Sequence, residues 1–351
     1  MPSQPINDYV VGGVKKFLDA LNSSGGTPIE RLSPRDARQV LIDAQNSAAV
    51  DLSGVDKSER TIDFEGKALK LHIVKPAGVK PAGAGTALPV FMFFHGGGWV
   101  LGDFPTHQRL VRDIVVESGA VAVFPDYTPS PEAQYPTAIH QAYAATQWVS
   151  EHGGEIGVDG HKLGVVGNSA GGNMAAVVSL MAKDKGGPAI RFQTLMWPVT
   201  DADFDTQSYK EFSDGYFLTR NMMIWFWDNY LKNPAQRREK YASPLRAAAT
   251  DLQGLPPALV QTAHSDVLRD EGEAYARKLN QAGVEVMAVR YNGLIHDWGL
   301  LNPIATVPEV RTAITQVATE LKRRLNYAEI LSGVRGKVAN TDPGGLGRSG
   351  S

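Results

Sequence analysis

Gly167-Asn168-Ser169-Ala170-Gly171-Gly172 lies between an apolar run, Lys162–Val166, and a helix-prone run, Asn173–Ala182. The pattern is strand, sharp turn, helix, with a serine on the turn. A serine placed there is lifted clear of the backbone, and the following helix aims its N-terminal amides at whatever the serine attacks. Glycines two before and two after it let strand and helix close on each other without side chains between them. In a chain with 36 glycines a lone G-x-S-x-G arises by chance, so its meaning depends on the rest of the sequence.

Outward from this stretch, apolar runs alternate with helical patterns. Strands are expected at Val90–Phe94, Val121–Pro125, Leu163–Val166, Phe192–Met196, Ala258–Thr262 and Val284–Tyr291. Helices are expected near Pro105–Glu117, Pro136–His152, Ala170–Lys183, Asp270–Gln281 and Pro308–Leu325. Near-continuous apolar strands separated by helices predict an α/β protein with a mostly parallel sheet covered on both faces. Before it, Thr61–Glu65 and Ala68–Val74 read as a hairpin, and Pro76 to Leu88 as a Pro/Gly/Ala-rich loop.

Residues 1–55 read as two amphipathic helices split by Gly25-Gly26-Thr27-Pro28, the second capped by Ser33-Pro34. Between 200 and 245 the strand–helix rhythm breaks into the most aromatic part of the chain, which includes Asn221-Met-Met-Ile-Trp-Phe-Trp-Asp-Asn-Tyr230. Such an insertion, joined by residues 1–55, is expected to cap the strand ends of a catalytic core made of 56–199 and 246–330. Residues 331–351 read as a flexible tail.

A net charge of -2 favours neither nucleic acid nor an anionic membrane as partner. Without cysteine there is no disulfide, thiolate metal site or cysteine nucleophile. No apolar run approaches the ~20 residues of a membrane span, and no secretory signal is visible, so a cytoplasmic location is expected.

Ser169 needs a base, an acid to orient that base, and donors for an oxyanion. In sheets of this kind these groups sit beyond the carboxyl ends of strands. The strand ending near Thr262 leads into His264-Ser265-Asp266, and the next leads into Gly293-Leu294-Ile295-His296-Asp297. Asp266 and His296 therefore lie past neighbouring strand ends, in the order Ser, Asp, His of an α/β-hydrolase. Asp270 and Glu271, which open a helix, suit its dipole better. Asp297 adjoins the base in sequence, an arrangement expected to point its carboxylate away from the ring. His72, His107, His140, His152 and His161 lack a companion and read as structural, as does His264, which is close to Asp266 but on its strand side. After the strand Phe91–Phe94, His95-Gly96-Gly97-Gly98-Trp99 offers backbone amides unobstructed by Cβ atoms, as an oxyanion hole requires. The amide of Ala170, just after the nucleophile, is the further donor.

His95-Gly-Gly-Gly-Trp99, Gly167-Asn-Ser-Ala-Gly-Gly172, Asp266-Val-Leu-Arg-Asp-Glu-Gly272 and Gly293-Leu-Ile-His296 together resemble the hormone-sensitive-lipase-like family of α/β-hydrolase esterases (bacterial esterase family IV). The resemblance runs from about residue 60 to 325. It implies an eight-stranded core under a helical cap and carboxylester hydrolysis through an acyl-enzyme, with no metal or organic cofactor. By residue it implies Ser169 as nucleophile, His296 as base, Asp266 as its partner, and Gly97, Gly98 and Ala170 as oxyanion donors. Trp99, Asn168 and Trp298 flank these as substrate-contacting candidates. Members often dimerise along a sheet edge, so a homodimer is compatible with the resemblance. The chain departs from the family pattern at Asn168, where an acid is usual, at Val267 in place of proline, and at Asp297-Trp298 in place of glycine and phenylalanine; Tyr127–Glu132 is also atypical. The expected substrate is a small, water-soluble ester of short to medium acyl chain. An amidase or deacetylase using the same triad, and a non-catalytic receptor on the same scaffold, are the alternatives.

Overall fold

The apolar runs form one eight-stranded sheet in a computed structural model that describes residues 9–78 and 87–326. In chain order the strands are β1 (Val55–Phe64), β2 (Lys67–Pro76), β3 (Leu88–Phe94), β4 (Val121–Pro125), β5 (Val158–Asn168), β6 (Phe192–Met196), β7 (Ala258–Ser265) and β8 (Val286–Ile295). Their spatial order is β1-β2-β4-β3-β5-β6-β7-β8. The hairpin β1–β2 is antiparallel and joins β4 antiparallel, while every pairing from β4 through β3 to β8 is parallel. β4 and β6 are buried along their whole length, as strands covered on both faces must be.

The helices are α1 (Gly12–Ser23), α2 (Pro34–Asn46), α3 (Phe104–Ser118), α4 (Thr137–His152), α5 (Ala170–Lys185), α6 (Gln207–Glu211), α7 (Arg220–Tyr230), α8 (Ala249–Leu252), α9 (Arg269–Gln281) and α10 (Pro308–Leu325). Local chemistry sets their ends. Ser33 caps α2 by accepting from the Asp36 amide at 3.1 Å, with Pro34 at the first helical position. Asp103 and Thr106 form a reciprocal capping box on α3, and Gly119 ends it in the left-handed region. α5 is buried on every side from Ala170 to Ala182, which is why its sequence shows little polar–apolar periodicity.

Two strands run further than their apolar runs suggest. β7 continues to Ser265 and β8 to Ile295, because Ser265 pairs with Ile295 after an irregularity in register. His264 and the segment Asn292–Ile295, read as loop, are therefore strand. The hairpin likewise extends to Val55 and Pro76. Most of the loop expected after Pro76, and the tail expected at 331–351, lie outside the described residues.

The N-terminal helices are tied to the rim where the strands end. The Val11 amide donates to the Gly293 carbonyl at 3.0 Å, and Asn22 reaches Gly215 of the insertion at 3.0 Å. Phe17 packs on Phe217 with ring centroids 6.1 Å apart.

The tightest packing is at the central turn. A Cβ on Gly171 would fall well inside the van der Waals shell of the Phe94 carbonyl oxygen, backbone that cannot give way. Gly171→Ala is expected to cost at least ~2 kcal/mol in urea unfolding. Gly154→Ala, where nothing lies within 4 Å, should leave the midpoint nearly unchanged.

Candidate active site

Ser169 follows β5, the strand between β3 and β6, and its backbone sits at φ 55° and ψ -121°. A non-glycine residue held there is strained, and the strain is sustained by its surroundings. The Ser169 amide donates to the Met196 carbonyl at 2.9 Å, and its own carbonyl accepts from Val199 and Asn173, both at 3.1 Å. The result is a fixed hydroxyl at the N-terminus of α5.

His296 follows directly on β8. Its Nε2 lies 3.0 Å from Ser169 Oγ and its Nδ1 2.8 Å from Asp266 Oδ2. A carboxylate only accepts, so Nδ1 carries the hydrogen and Nε2 is free to accept from the serine. Asp266 uses its other oxygen to accept from the Leu268 amide at 2.9 Å. All three side chains are nearly fully buried. Burial pulls the proton affinity of His296 down, but the Asp266 and Asp297 carboxylates and the Asp266 hydrogen bond outweigh it, leaving the pKa above 6.5. Such a chain can pass a proton from a hydroxyl to an imidazole and stabilise the cation formed.

Asp270 and Glu271, in the first turn of α9, are occupied elsewhere. Asp270 accepts from the Ser208 amide at 2.7 Å, and buried Glu271 accepts from Thr200 and Asp201 at 2.6 and 3.1 Å. They anchor the start of the insertion.

The glycine loop after β3 faces Ser169. Gly97 and Gly98 have φ of 97° and 60°, and a Cβ on Gly98 would penetrate the ring of Phe226 on α7. The Ala170 amide is among the first-turn N–H groups of α5, which have no intrahelical acceptor. His95 braces the loop: its ring stacks on Tyr127 at 4.1 Å and its Nδ1 donates to the Gly96 carbonyl at 2.8 Å. Burial lowers its pKa to about 4, so it stays neutral. From α2, Arg38 Nε donates to the Val100 carbonyl at 2.8 Å.

The candidate substrate-contacting side chains are deeply placed. Trp99 is fully buried, stacked on Tyr230 at 4.0 Å; Trp298 is fully buried against Trp197 at 4.4 Å. Asn168 turns beneath the glycine loop and accepts from the Gly96 amide at 3.0 Å.

Two sequence readings are corrected here. Asp297 does not point away from the base: at φ 58° its backbone turns back, bringing Oδ1 to 3.8 Å from His296 Nε2. His107 is not without a companion, since it lies 5.3 Å from the His95 ring and reaches Asn168. Sequence reasoning passed over Trp197, whose Nε1 donates to Asp297 at 2.9 Å. A usable signal was present, because Asn168 and Asp297 both depart from the family pattern and they meet in space.

A serine on a strained turn, an imidazole within its reach and a glycine loop opposite define a serine hydrolase on an α/β-hydrolase scaffold. The α/β-hydrolase-fold family model matches residues 91–300. The carboxylesterase NlhH of Mycobacterium tuberculosis is 36% identical over 76% of this chain and 82% of its own. The ethyl acetate hydrolase of Pseudomonas putida is 30% identical over 88% and 96%. Among solved structures, a thermostable esterase from Pseudomonas putida ECU1011 superposes with a TM-score of 0.89 at 65% identity, covering 92% of this chain and 99% of that one. The chain belongs to the hormone-sensitive-lipase-like branch of the α/β-hydrolase family and is a serine ester hydrolase. Among the described residues no helix is long and apolar enough to cross a membrane.

Because Phe226 occupies the space a Gly98 side chain would need, Gly98→Ala must move either the glycine loop or α7. Its kcat on an acetyl ester is expected to fall ~10²-fold. Adding Phe226→Ala should recover part of that loss, and an equal loss in the double variant would show that the clash is not the cause.

Proposed function

We propose that the chain hydrolyses short- to medium-chain carboxylic esters through an acyl-enzyme on Ser169, with His296 as general base and Asp266 as its partner. The observation that carries this reading is the unbroken hydrogen-bonded line from Ser169 Oγ through both ring nitrogens of His296 to Asp266. The ester carbonyl oxygen takes the amides of Gly97, Gly98 and Ala170. Ser169 Oγ bonds to the carbonyl carbon while its proton passes to His296 Nε2, and the negative charge gathers on the oxygen those amides surround. Collapse breaks the ester C–O bond, and the alcohol leaves with the proton from His296. Water then repeats the sequence on the acyl-serine and releases the acid.

The helices of residues 1–55 and the insertion at 200–245 form the cap in this reading, with 56–199 and 246–330 as the catalytic unit. Supporting this, α7 lies over the glycine loop through Phe226, and α2 grips the same loop through Arg38. The burial of Ser169, only 3% exposed, favours slender acyl groups. The partner is a small-molecule ester.

Hydrolysis of p-nitrophenyl esters of two, six and twelve carbons tests the reading. Fast cleavage of the two shorter esters, lost by several orders of magnitude in Ser169→Ala, is the expected result. Preference for the twelve-carbon ester would overturn the chain-length assignment, and unchanged turnover in Ser169→Ala would overturn the nucleophile.

The base must be neutral to accept the serine proton, so kcat/KM should rise with pH through a single midpoint. Two neighbouring carboxylates hold the His296 pKa up, which places that midpoint above 6.5. A pH–rate profile with its acid limb below that value would show that burial dominates instead.

A further inference from the structure

His296 has carboxylates on both sides of its ring. Asp266 takes Nδ1 in the manner of any orienting acid, but Asp297 Oδ1 lies 3.8 Å from Nε2, the nitrogen that faces Ser169. Asp297 is buried, which pushes its carboxyl pKa up, while His296 and the hydrogen bonds from Trp197 and Asn168 pull it back toward the ionised form. Its Oδ1 accepts from Trp197 Nε1 at 2.9 Å and from Asn168 Nδ2 at 3.4 Å. Both donors are neutral, and the left-handed backbone at Asp297 is what turns the carboxylate toward them.

Asn168 fits this place by its bonding pattern. Its Oδ1 accepts from the Gly96 amide at 3.0 Å, while Nδ2 is 3.4 Å from both Asp297 Oδ1 and His107 Nε2. His107 Nδ1 lies 3.1 Å from the Asp103 carbonyl, which can only accept, so Nδ1 holds the hydrogen and Nε2 is an acceptor. The side chain at 168 thus faces one donor and two acceptors. A carboxamide satisfies all three; an ionised carboxylate would set its oxygen against both acceptors, one of them charged.

We propose that Asp297 is a positioning residue that stabilises positive charge on His296 from the Nε2 side, and that Asn168 is the neutral partner allowing it to remain ionised there. The charged and titratable groups facing this pair are Asp266 after β7, His296 after β8 and His107 on α3; burial holds His107 neutral. When Ser169 attacks, the imidazolium forms between two carboxylates. This strengthens the base and also makes it retain a proton to higher pH.

The inference rests on the reading of His296 as the base of an esterase. Its test is the pH dependence of kcat/KM on p-nitrophenyl acetate for wild type, Asp297→Asn, Asn168→Asp and the double variant, with Ser169→Ala as control. Asp297→Asn keeps the shape and removes the charge, and its acid limb should move down by roughly one to three pH units. Asn168→Asp should lose most activity, and Asn168→Asp/Asp297→Asn should recover much of it, a non-additive result. An acid limb unmoved in Asp297→Asn, or strictly additive losses, would overturn the proposal. Activity that survives Ser169→Ala would instead defeat the nucleophile and base assignment on which the inference rests. Should Asp297→Asn fail to fold, Asp297→Ser, which also removes the charge beside Nε2, goes through the same pH series: its acid limb too should move down, and an unmoved limb rejects the second carboxylate's role.

Discussion

The fold is organised around a place where backbone meets backbone. The carbonyl of Phe94, at the end of β3, abuts Gly171 in the first turn of α5, and Gly167 faces the Gly171 carbonyl across the turn. No side chain fits at either position. This contact forces the chain to reverse sharply at Ser169 and to hold it at a positive φ. It also sets the glycine loop after β3 and the start of α5 side by side, so hydroxyl and backbone donors face one another before any substrate arrives. The remaining groups follow from the parallel sheet, because β7 and β8 deliver Asp266 and His296 to the same edge.

Three buried histidines near this turn show how environment assigns roles to one side-chain type. His95 and His107 are desolvated with no carboxylate in contact, and each is held neutral as part of the frame. His296 is just as buried, yet two carboxylates reverse the sign of its shift. The three side chains also differ in what their ring nitrogens meet. The Nδ1 atoms of His95 and His107 meet backbone carbonyls and His107 Nε2 meets Asn168, whereas His296 turns Nε2 to the Ser169 hydroxyl.

Much of this was legible in the sequence because it depends on order and periodicity. Apolar runs marked the parallel strands, and strand ends narrowed the search to Asp266 and His296, which the structure brings into line with Ser169. What escaped was set by torsion angles. Adjacency argued that Asp297 should face away from His296, and a φ of 58° reverses that argument. Asn168 was read as a substrate contact, but its hydrogen bonds are spent on Gly96, Asp297 and His107, a pattern visible only once three distant segments are assembled. Trp197 lies just past a strand end, where an aromatic residue carries no periodic signal. Likewise the ends of β7 and β8 depend on the pairing of Ser265 with Ile295, which apolarity alone does not encode.

The insertion and the glycine loop cannot vary independently. Phe226 fills the space beside Gly98, Trp99 stacks on Tyr230 of the same helix, and the Tyr135 amide bonds the Tyr230 carbonyl at 2.9 Å. Arg38 adds a hold from the N-terminal side while also pairing with Glu132 at 2.7 Å. Electrostatic stabilisation of an oxyanion depends on donors that do not reorganise during the reaction. In the mechanism we propose, part of the stiffness of those donors comes from α7 and α2, which contact the glycine loop, and not from the sheet alone. In that mechanism a residue changed in α7 therefore also alters the support of the loop whose amides take the carbonyl oxygen, which couples the aromatic helix to the rate of attack.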